Sequence, residues 1–450
     1  MAALTLLAAC QREASKSVTA PAPSNVAAPR VVVLGLDAGT WEILGPWMDQ
    51  GLLPNLAKLR DTGTSGKLRS TEPSSSPVIW TSIATGKVPE KTGITWFVRF
   101  PDGPGKPVPV DRRERKTKAL WNMLSDRRVD VAVLGWYVTW PAEEVNGRLQ
   151  SDYSHFGAIE QGAWPEHFLK DQPPVPAQRA VEAMPRFMDF RYDPARAVKS
   201  TDPAAQPTLD YLVYDRFLRA WSRDSFYLDS VERTLNDGPL PEALFLYLRG
   251  TDDVQHGFWK FMEPAAFTPR LGEDGKQIKG TVAVPPEQVK AFGRVIQTYW
   301  EWMDVEVGKI LAHYRKSPPL VIVCSDHGAG PAVGPLAVEV PEYLHLSGAH
   351  RIDGVLIANG PGVRRGAKIE GATIYDIAPT ILHALGLPVG KDLDGHVLRE
   401  LFVEEIANRT DATIESYDAP ATAGAPDPGP PAEVDTKVLE HLRSLGYIGP

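Results

Sequence analysis

Three aspartates and three histidines, each beside a segment that reads as a β-strand, are the residues best suited to chemistry in this chain. Val321–Gly328 reads V-I-V-C-S-D-H-G: a β-branched run typical of a buried strand, stopped by Asp326-His327 and then glycine. Val31–Leu36 runs the same way into Asp37, followed by Ala38-Gly39-Thr40. Leu244–Leu248 passes through Arg249-Gly250-Thr251 to Asp252, with His256 four residues later. If a helix begins at Thr251, Asp252 and His256 share one face. His350 stands shortly before the strand-like Gly354–Ala358. Singly, each has an ordinary reading: a strand-to-loop turn, a first-turn carboxylate favoured by the helix dipole, a surface or loop histidine. Together, carboxylates and imidazoles at strand ends fit two divalent metal ions sharing one site.

A serine adds to this set. Pro73–Trp80 passes from a loop into a helical pattern ending at Thr85-Gly86, and Pro77 suits the first helical position, which puts Ser76 at the N-cap. Ser76 either caps the helix or, with a metal beside it, acts as a nucleophile. A helix N-terminus attracts phosphate, and a nearby cation lowers the serine pKa.

Such residues need a rigid frame. Ligands of open α/β sheets gather beyond the carboxyl ends of the strands. Val131–Leu134 is a further strand, leading into Gly135–Pro141. Trp96, Phe97 and Trp136, with Trp140, follow elements near the predicted site; they either line a leaving-group pocket or pack the core. Residues 155–240 interrupt the motif series, and the apolar spacing in Asp210–Asn236 predicts a helical insertion or cap. Gln288–Tyr314 predicts one long amphipathic helix, and residues 263–286 an exposed loop. Residues 418–433 read as a Pro/Ala-rich linker, and Leu439–Gly449 as a short helix docking on the body, so that residues 30–417 form the catalytic domain.

Composition narrows the classes. A chain of 450 residues with 43% hydrophobic and 23% charged residues has enough apolar content for a large globular core. Its net charge of −8 argues against a nucleic-acid-binding surface, and the basic cluster Arg112–Lys118 is short enough to be a solvated loop or an attractor of anionic substrates. Two cysteines, Cys10 and Cys324, exclude a disulfide framework. Leu7-Ala8-Ala9-Cys10 has the form of a bacterial lipobox, predicting a lipid anchor at Cys10, residues 11–29 as a tether, and a periplasmic place in the cell envelope.

With these motifs in order from Arg30 to Phe402, the chain resembles the alkaline phosphatase superfamily, and within it the type I phosphodiesterase/nucleotide pyrophosphatase branch. Its nucleophile stands ten residues before the glycine of a T-G pair, and Thr85-Gly86 counts back to Ser76. Asp37 in G-L-D-A-G-T-W, Asp252 and His256 in D-x-x-x-H, Asp326 and His327 in S-D-H-G, and His350 upstream of Gly360-Pro361-Gly362 match the remaining elements.

The resemblance implies a three-layer α/β/α sandwich with a helical insertion. It also implies two zinc ions, one held by Asp252, His256 and His350 and one by Asp37, Asp326 and His327. The implied chemistry is attack by Ser76 on the phosphorus of a small phosphate ester, giving a covalent phosphoseryl enzyme that water then releases. Two departures from the branch matter: it usually carries threonine where this chain has Ser76, and it places an asparagine near the position of Phe97, whereas this chain has none between Asn55 and Asn122. The sulfatase pattern, Cys or Ser followed by x-P-x-R, is not met from Ser76, because the proline comes one residue early and no arginine follows. Phosphodiester hydrolysis is the reading favoured by the resemblance. Phosphomonoester hydrolysis, phosphoryl or phosphonate transfer at the same site, and a non-catalytic envelope binding protein are the alternatives.

Overall fold

The computed structural model describes residues 30–100, 106–157, 159–168, 170–197, 208–337, 346–418 and 435–444. Cys10, the tether at 11–29 and most of the predicted linker lie outside them.

A nine-stranded sheet organises the chain. In chain order its strands are β1 (Val31–Leu36), β2 (Thr64–Arg69), β3 (Val131–Leu134), β4 (Gly147–Gln150), β5 (Ala163–Trp164), β6 (Ala243–Leu248), β7 (Leu320–Cys324), β8 (Asp353–Asn359) and β9 (Ala367–Ile369). Across the sheet they run β9-β2-β8-β7-β1-β6-β3-β4-β5. The run from β7 to β4 is parallel, and β8 is antiparallel to both of its neighbours. The carboxyl ends of β7, β1 and β6 therefore open side by side at the centre of one sheet edge, and the start of antiparallel β8 returns to that edge.

Alternation along the strands divides the core. Val32, Leu34 and Leu36 of β1 join Leu244 and Leu246 against one helical layer; Val31 and Val33 join Phe245 and Tyr247 against the other. The first layer holds α1 (Trp41–Asp49), α2 (Pro54–Thr62), α5 (Arg219–Asn236), α6 (Gly250–Met262) and α7 (Val295–His313). The second holds α3 (Ser76–Thr85), α4 (Leu120–Ser125) and α8 (Ile377–Ala384). A sheet apolar on both faces and covered on both is an α/β/α sandwich.

Two predicted segments differ in detail. The segment expected as a helical insertion or cap contributes α5, which lies in the first layer with Phe226, Val231 and Leu235 buried in the common core. A helix with so wide an apolar face is stable only against a sheet or another helix. The helix predicted over Gln288–Tyr314 is two helices, Pro286–Phe292 and α7, separated at Gly293-Arg294. At the chain's end, α9 (Asp435–Ser444) packs Val438, Leu439 and Leu442 against Phe97 and Val98.

Candidate metal centre

Asp37 follows β1 and is fully buried. The chain escapes the sheet there by a tight turn in which Ala38 takes φ 58°, a left-handed conformation uncommon for a residue with a side chain. Gly39 follows, where a Cβ would overlap the Ser325 hydroxyl. Thr251 Oγ1 donates to the Asp37 carbonyl at 2.6 Å and Gln255 Nε2 to the Ala38 carbonyl at 3.0 Å, so α6 grips this turn directly. α6 begins at Gly250, placing Asp252 in its first turn, and His256 Nε2 lies 3.2 Å from Asp252 Oδ1. The predicted i, i+4 pair is therefore formed.

Beyond β7, Asp326 and His327 are both fully buried. His350 is brought beside them by pairing that spacing alone does not reveal. Gly348–Arg351 forms an antiparallel ribbon with Gly328–Pro331, setting His350 opposite Ala329. The rings of His327 and His350 then stack at 3.7 Å, and His350 Nε2 lies 3.6 Å from Asp252 Oδ1. All six residues expected as metal ligands thus converge. The sets are less separate than predicted. Asp37, Asp326 and His327 lie close enough for one ion, but His327 also groups with Asp252 and His350.

The hydrogen bonds around the histidines fit cation binding. His256 Nδ1 lies 2.8 Å from the Gly348 carbonyl, His327 Nδ1 3.0 Å from that of Gly328, and His350 Nδ1 3.2 Å from that of Ser74. A carbonyl only accepts, so each Nδ1 carries the hydrogen and each Nε2 turns its lone pair inward. His256 Nε2 and His350 Nε2 face each other at 3.0 Å, an arrangement that needs a proton or a metal cation between them. Among the described residues, Asp37 Oδ1, Asp252 Oδ2, Asp326 Oδ2 and His327 Nε2 are buried without hydrogen-bond partners. Orphaned buried acceptors are costly, and a divalent cation would satisfy all of them at once.

The protonation equilibria agree except at His256, where burial opposes protonation, yet the adjoining Asp252 carboxylate raises the imidazole above its usual value. Burial, then the neighbouring Asp252, raises the Asp37 carboxyl to about 6. Burial and the Asp37 charge push Asp326 well above the carboxylate range. Burial opposes ionisation of Asp252 as well, yet His256 and then His350 outweigh it and hold that carboxyl well below its usual value. Burial lowers His327 and His350 to about 4, which keeps both imidazoles neutral and able to ligate near neutral pH.

Ser76 is the first residue of α3, not its N-cap: Ser75 holds that position and its side chain caps nothing. The Ser76 hydroxyl is itself buried without a partner, so it does not serve as a cap either. Trp80, one turn on, donates Nε1 to Asp37 Oδ2 at 3.4 Å, and positions i and i+4 share a helix face, so Ser76 stands on the side of α3 that meets Asp37.

The aromatic residues divide. Phe97 is buried against Leu442 of α9 and lines a cavity beside the centre. Trp96 is 37% exposed with its ring edge-on to Phe97. Trp136 corrects the pocket expectation: it is 1% exposed, packed edge-on to Trp80 at 5.2 Å, and donates Nε1 to the Trp80 carbonyl. Its ring supports α3 from inside the core. Sequence reasoning missed Tyr247, whose hydroxyl donates to Asp37 Oδ2. The available signal was the alternation of β6, which turns Phe245 and Tyr247 to the same face.

A model of the type I phosphodiesterase / nucleotide pyrophosphatase family matches residues 31–385. No curated protein sequence matches the chain. Among solved structures, human ectonucleotide pyrophosphatase/phosphodiesterase 5 aligns at 12% identity over 83% of this chain and 99% of its own, with TM-score 0.47. The murine protein aligns at 13% identity over 83% and 100%, with TM-score 0.45. An inactive murine variant in complex with AMP gives 12% identity, the same coverage and TM-score 0.45.

Proposed function

Because the chain belongs to the type I phosphodiesterase/nucleotide pyrophosphatase family, we propose that it is a metal-dependent phosphodiesterase with Ser76 as its nucleophile. The observation that carries this reading is the convergence of buried, unpartnered donor atoms from Asp37, Asp252, Asp326 and His327. Asp252, His256 and His350 would hold one divalent ion, and Asp37, Asp326 and His327 a second, with zinc suited to this mixed nitrogen and oxygen set. Bound there, such ions would lower the serine pKa and offset charge on the phosphoryl oxygens.

The chain's own groups supply the rest. Ser76 Oγ, deprotonated, forms a bond to phosphorus while the bond to the departing alcohol breaks on the opposite side. In the first turn of α3, Pro77 has no N–H and the Ile79 N–H is spent on the Ser75 carbonyl at 3.0 Å. The Val78 N–H is then the first-turn donor placed to meet an equatorial phosphoryl oxygen. Tyr247 and Trp80 hold Asp37 from the second layer side, keeping its other oxygen turned toward the metal position. Water attacks the phosphoserine in the second half of the reaction and restores the hydroxyl.

Hydrolysis of bis-p-nitrophenyl phosphate and p-nitrophenyl phosphate by zinc-loaded protein tests this. The diester is expected to be the better substrate, and Ser76→Ala to lower its rate at least about 10³-fold with metal content unchanged. An unchanged rate in Ser76→Ala removes the serine from the mechanism. A preference for the monoester moves the activity to phosphomonoester hydrolysis.

A further inference from the structure

The cavity beside the metal centre has a wall that comes from the end of the chain. Tyr247 joins the two spaces: its hydroxyl donates to Asp37 and its ring lines the cavity. The walls rise from the loops after β3, β4 and β6 and from α5, with Tyr153 and Phe156 of the β4 loop and Tyr227 of α5 supplying aromatic surface. Val438 and Leu442 of α9 close the remaining side, and Leu442 is 3% exposed. Arg223 and Arg249 reach the cavity as well, but Arg223 is committed to Asp253 at 2.5 Å and Arg249 to the Tyr137 hydroxyl at 3.1 Å. The lining is therefore mainly aromatic and aliphatic, interrupted by Asp152, His155 and the two arginines.

We propose that α9 is part of the substrate pocket, and that Val438 and Leu442 select phosphodiesters whose retained ester group, the one that stays on phosphorus when the alcohol departs, is apolar or aryl. This rests on the phosphodiesterase reading above. Three features support it. Val438 and Leu442 stand four residues apart on one face of α9, so both reach the same cavity. The face that holds them is shared with the body, since Phe97 meets Leu442 and Trp140 and Tyr153 meet Val438. A ten-residue helix is marginal by itself in water, so its position depends on this apolar seat. An apolar ester group entering the cavity would extend the same contacts and exclude water from the neighbouring centre.

The test uses the full chain and two substrates with the same chromogenic leaving group, bis-p-nitrophenyl phosphate and methyl p-nitrophenyl phosphate. Leu442→Asp and Val438→Asp are compared with the unaltered protein. The expected result is a loss of about tenfold in kcat/KM for the diaryl ester and a several-fold smaller loss for the methyl ester. Leu442→Met, which keeps an apolar contact, should restore the diaryl rate. Equal losses on both esters, or no loss on either, overturn the proposal. Calorimetric binding of phenylphosphonate and methylphosphonate is read in parallel. If neither ester is hydrolysed, the phosphodiesterase reading fails by itself. The pocket assignment then stands only if phenylphosphonate binds more tightly than methylphosphonate and Leu442→Asp removes that difference; it falls otherwise.

Discussion

At the scale of single residues, the centre is built from groups that do not satisfy one another. Asp37 and Asp326 share a dry site: burial, then the Asp252 charge, raises Asp37 to about 6, and burial, then the Asp37 charge, raises Asp326 well above its usual value. In the metal-free protein these two carboxyls bind more protons in the native state than in the unfolded chain between the ordinary Asp value, about 3.9, and about 6. His327 and His350, lowered to about 4, instead bind fewer up to the ordinary His value, about 6.5. The carboxyls' contribution to metal-free stability therefore falls as pH rises through that window while that of the two histidines rises, so the two are expected to offset each other and leave metal-free stability with little net pH dependence there. Stabilisation by added zinc should grow over the same range, as the carboxylates become free to ligate. Thermal unfolding from pH 4 to 7, with zinc and with chelator, reads this directly, and a zinc effect that does not vary with pH contradicts it. Tyr247 offers a separate check. Tyr247→Phe removes the donor to Asp37 but keeps the ring against Trp80, whose centroid lies 4.6 Å away. Zinc affinity is expected to fall about tenfold or more, with little change in metal-free stability, in a competition titration.

At the scale of elements, accuracy comes from how α6 is anchored. Its N-terminus is held by α5 and α7: the Gly250 N–H donates to Asp224 at 2.9 Å, and the Tyr299 hydroxyl donates to the same carboxylate at 2.9 Å. Arg223 on α5 pairs with Asp253, the residue after Asp252. A Cβ at Gly250 would overlap both the Tyr299 hydroxyl and the Asp224 carboxylate. Gly250→Ala is therefore expected to lower stability by about 1–3 kcal/mol and to weaken metal binding, because the helix carrying Asp252 and His256 must move. Gly45→Ala in α1 is the contrast: among the described residues, nothing beyond its chain neighbours lies within 4 Å of the added methyl. The helix-propensity gain of about 0.5–1 kcal/mol is then opposed only by contact with the following Pro46, and stability should change by less than about 1 kcal/mol. Denaturant unfolding of the two variants decides the point; a silent Gly250→Ala would show that α6 tolerates displacement.

At the scale of the molecule, groups from distant parts of the chain meet at one sheet edge, and several are buried without partners. Metal should therefore stabilise the whole fold by linkage, by about 2.7 kcal/mol at a hundredfold excess over Kd for a single site. Chelator is expected to lower the thermal midpoint cooperatively, and a melting curve indifferent to zinc at neutral pH would argue against a metal site.

Much of this was legible in the residues before any fold was known. Strand ends could be read from β-branched runs halted by Asp37 and by Asp326-His327, because a buried strand must be apolar and must stop where polar groups begin. The Asp252–His256 pair followed from helical geometry, which is local. Only the tertiary structure decided what depends on pairing between distant segments. The Gly328–Pro331 ribbon carries His350 onto His327, α5 takes its place in the helical layer on the sheet, Trp136 enters the core, and α9 closes a cavity with Val438 and Leu442. Periodicity reports which face of an element is apolar, but the surface that face meets is set by contacts across hundreds of residues.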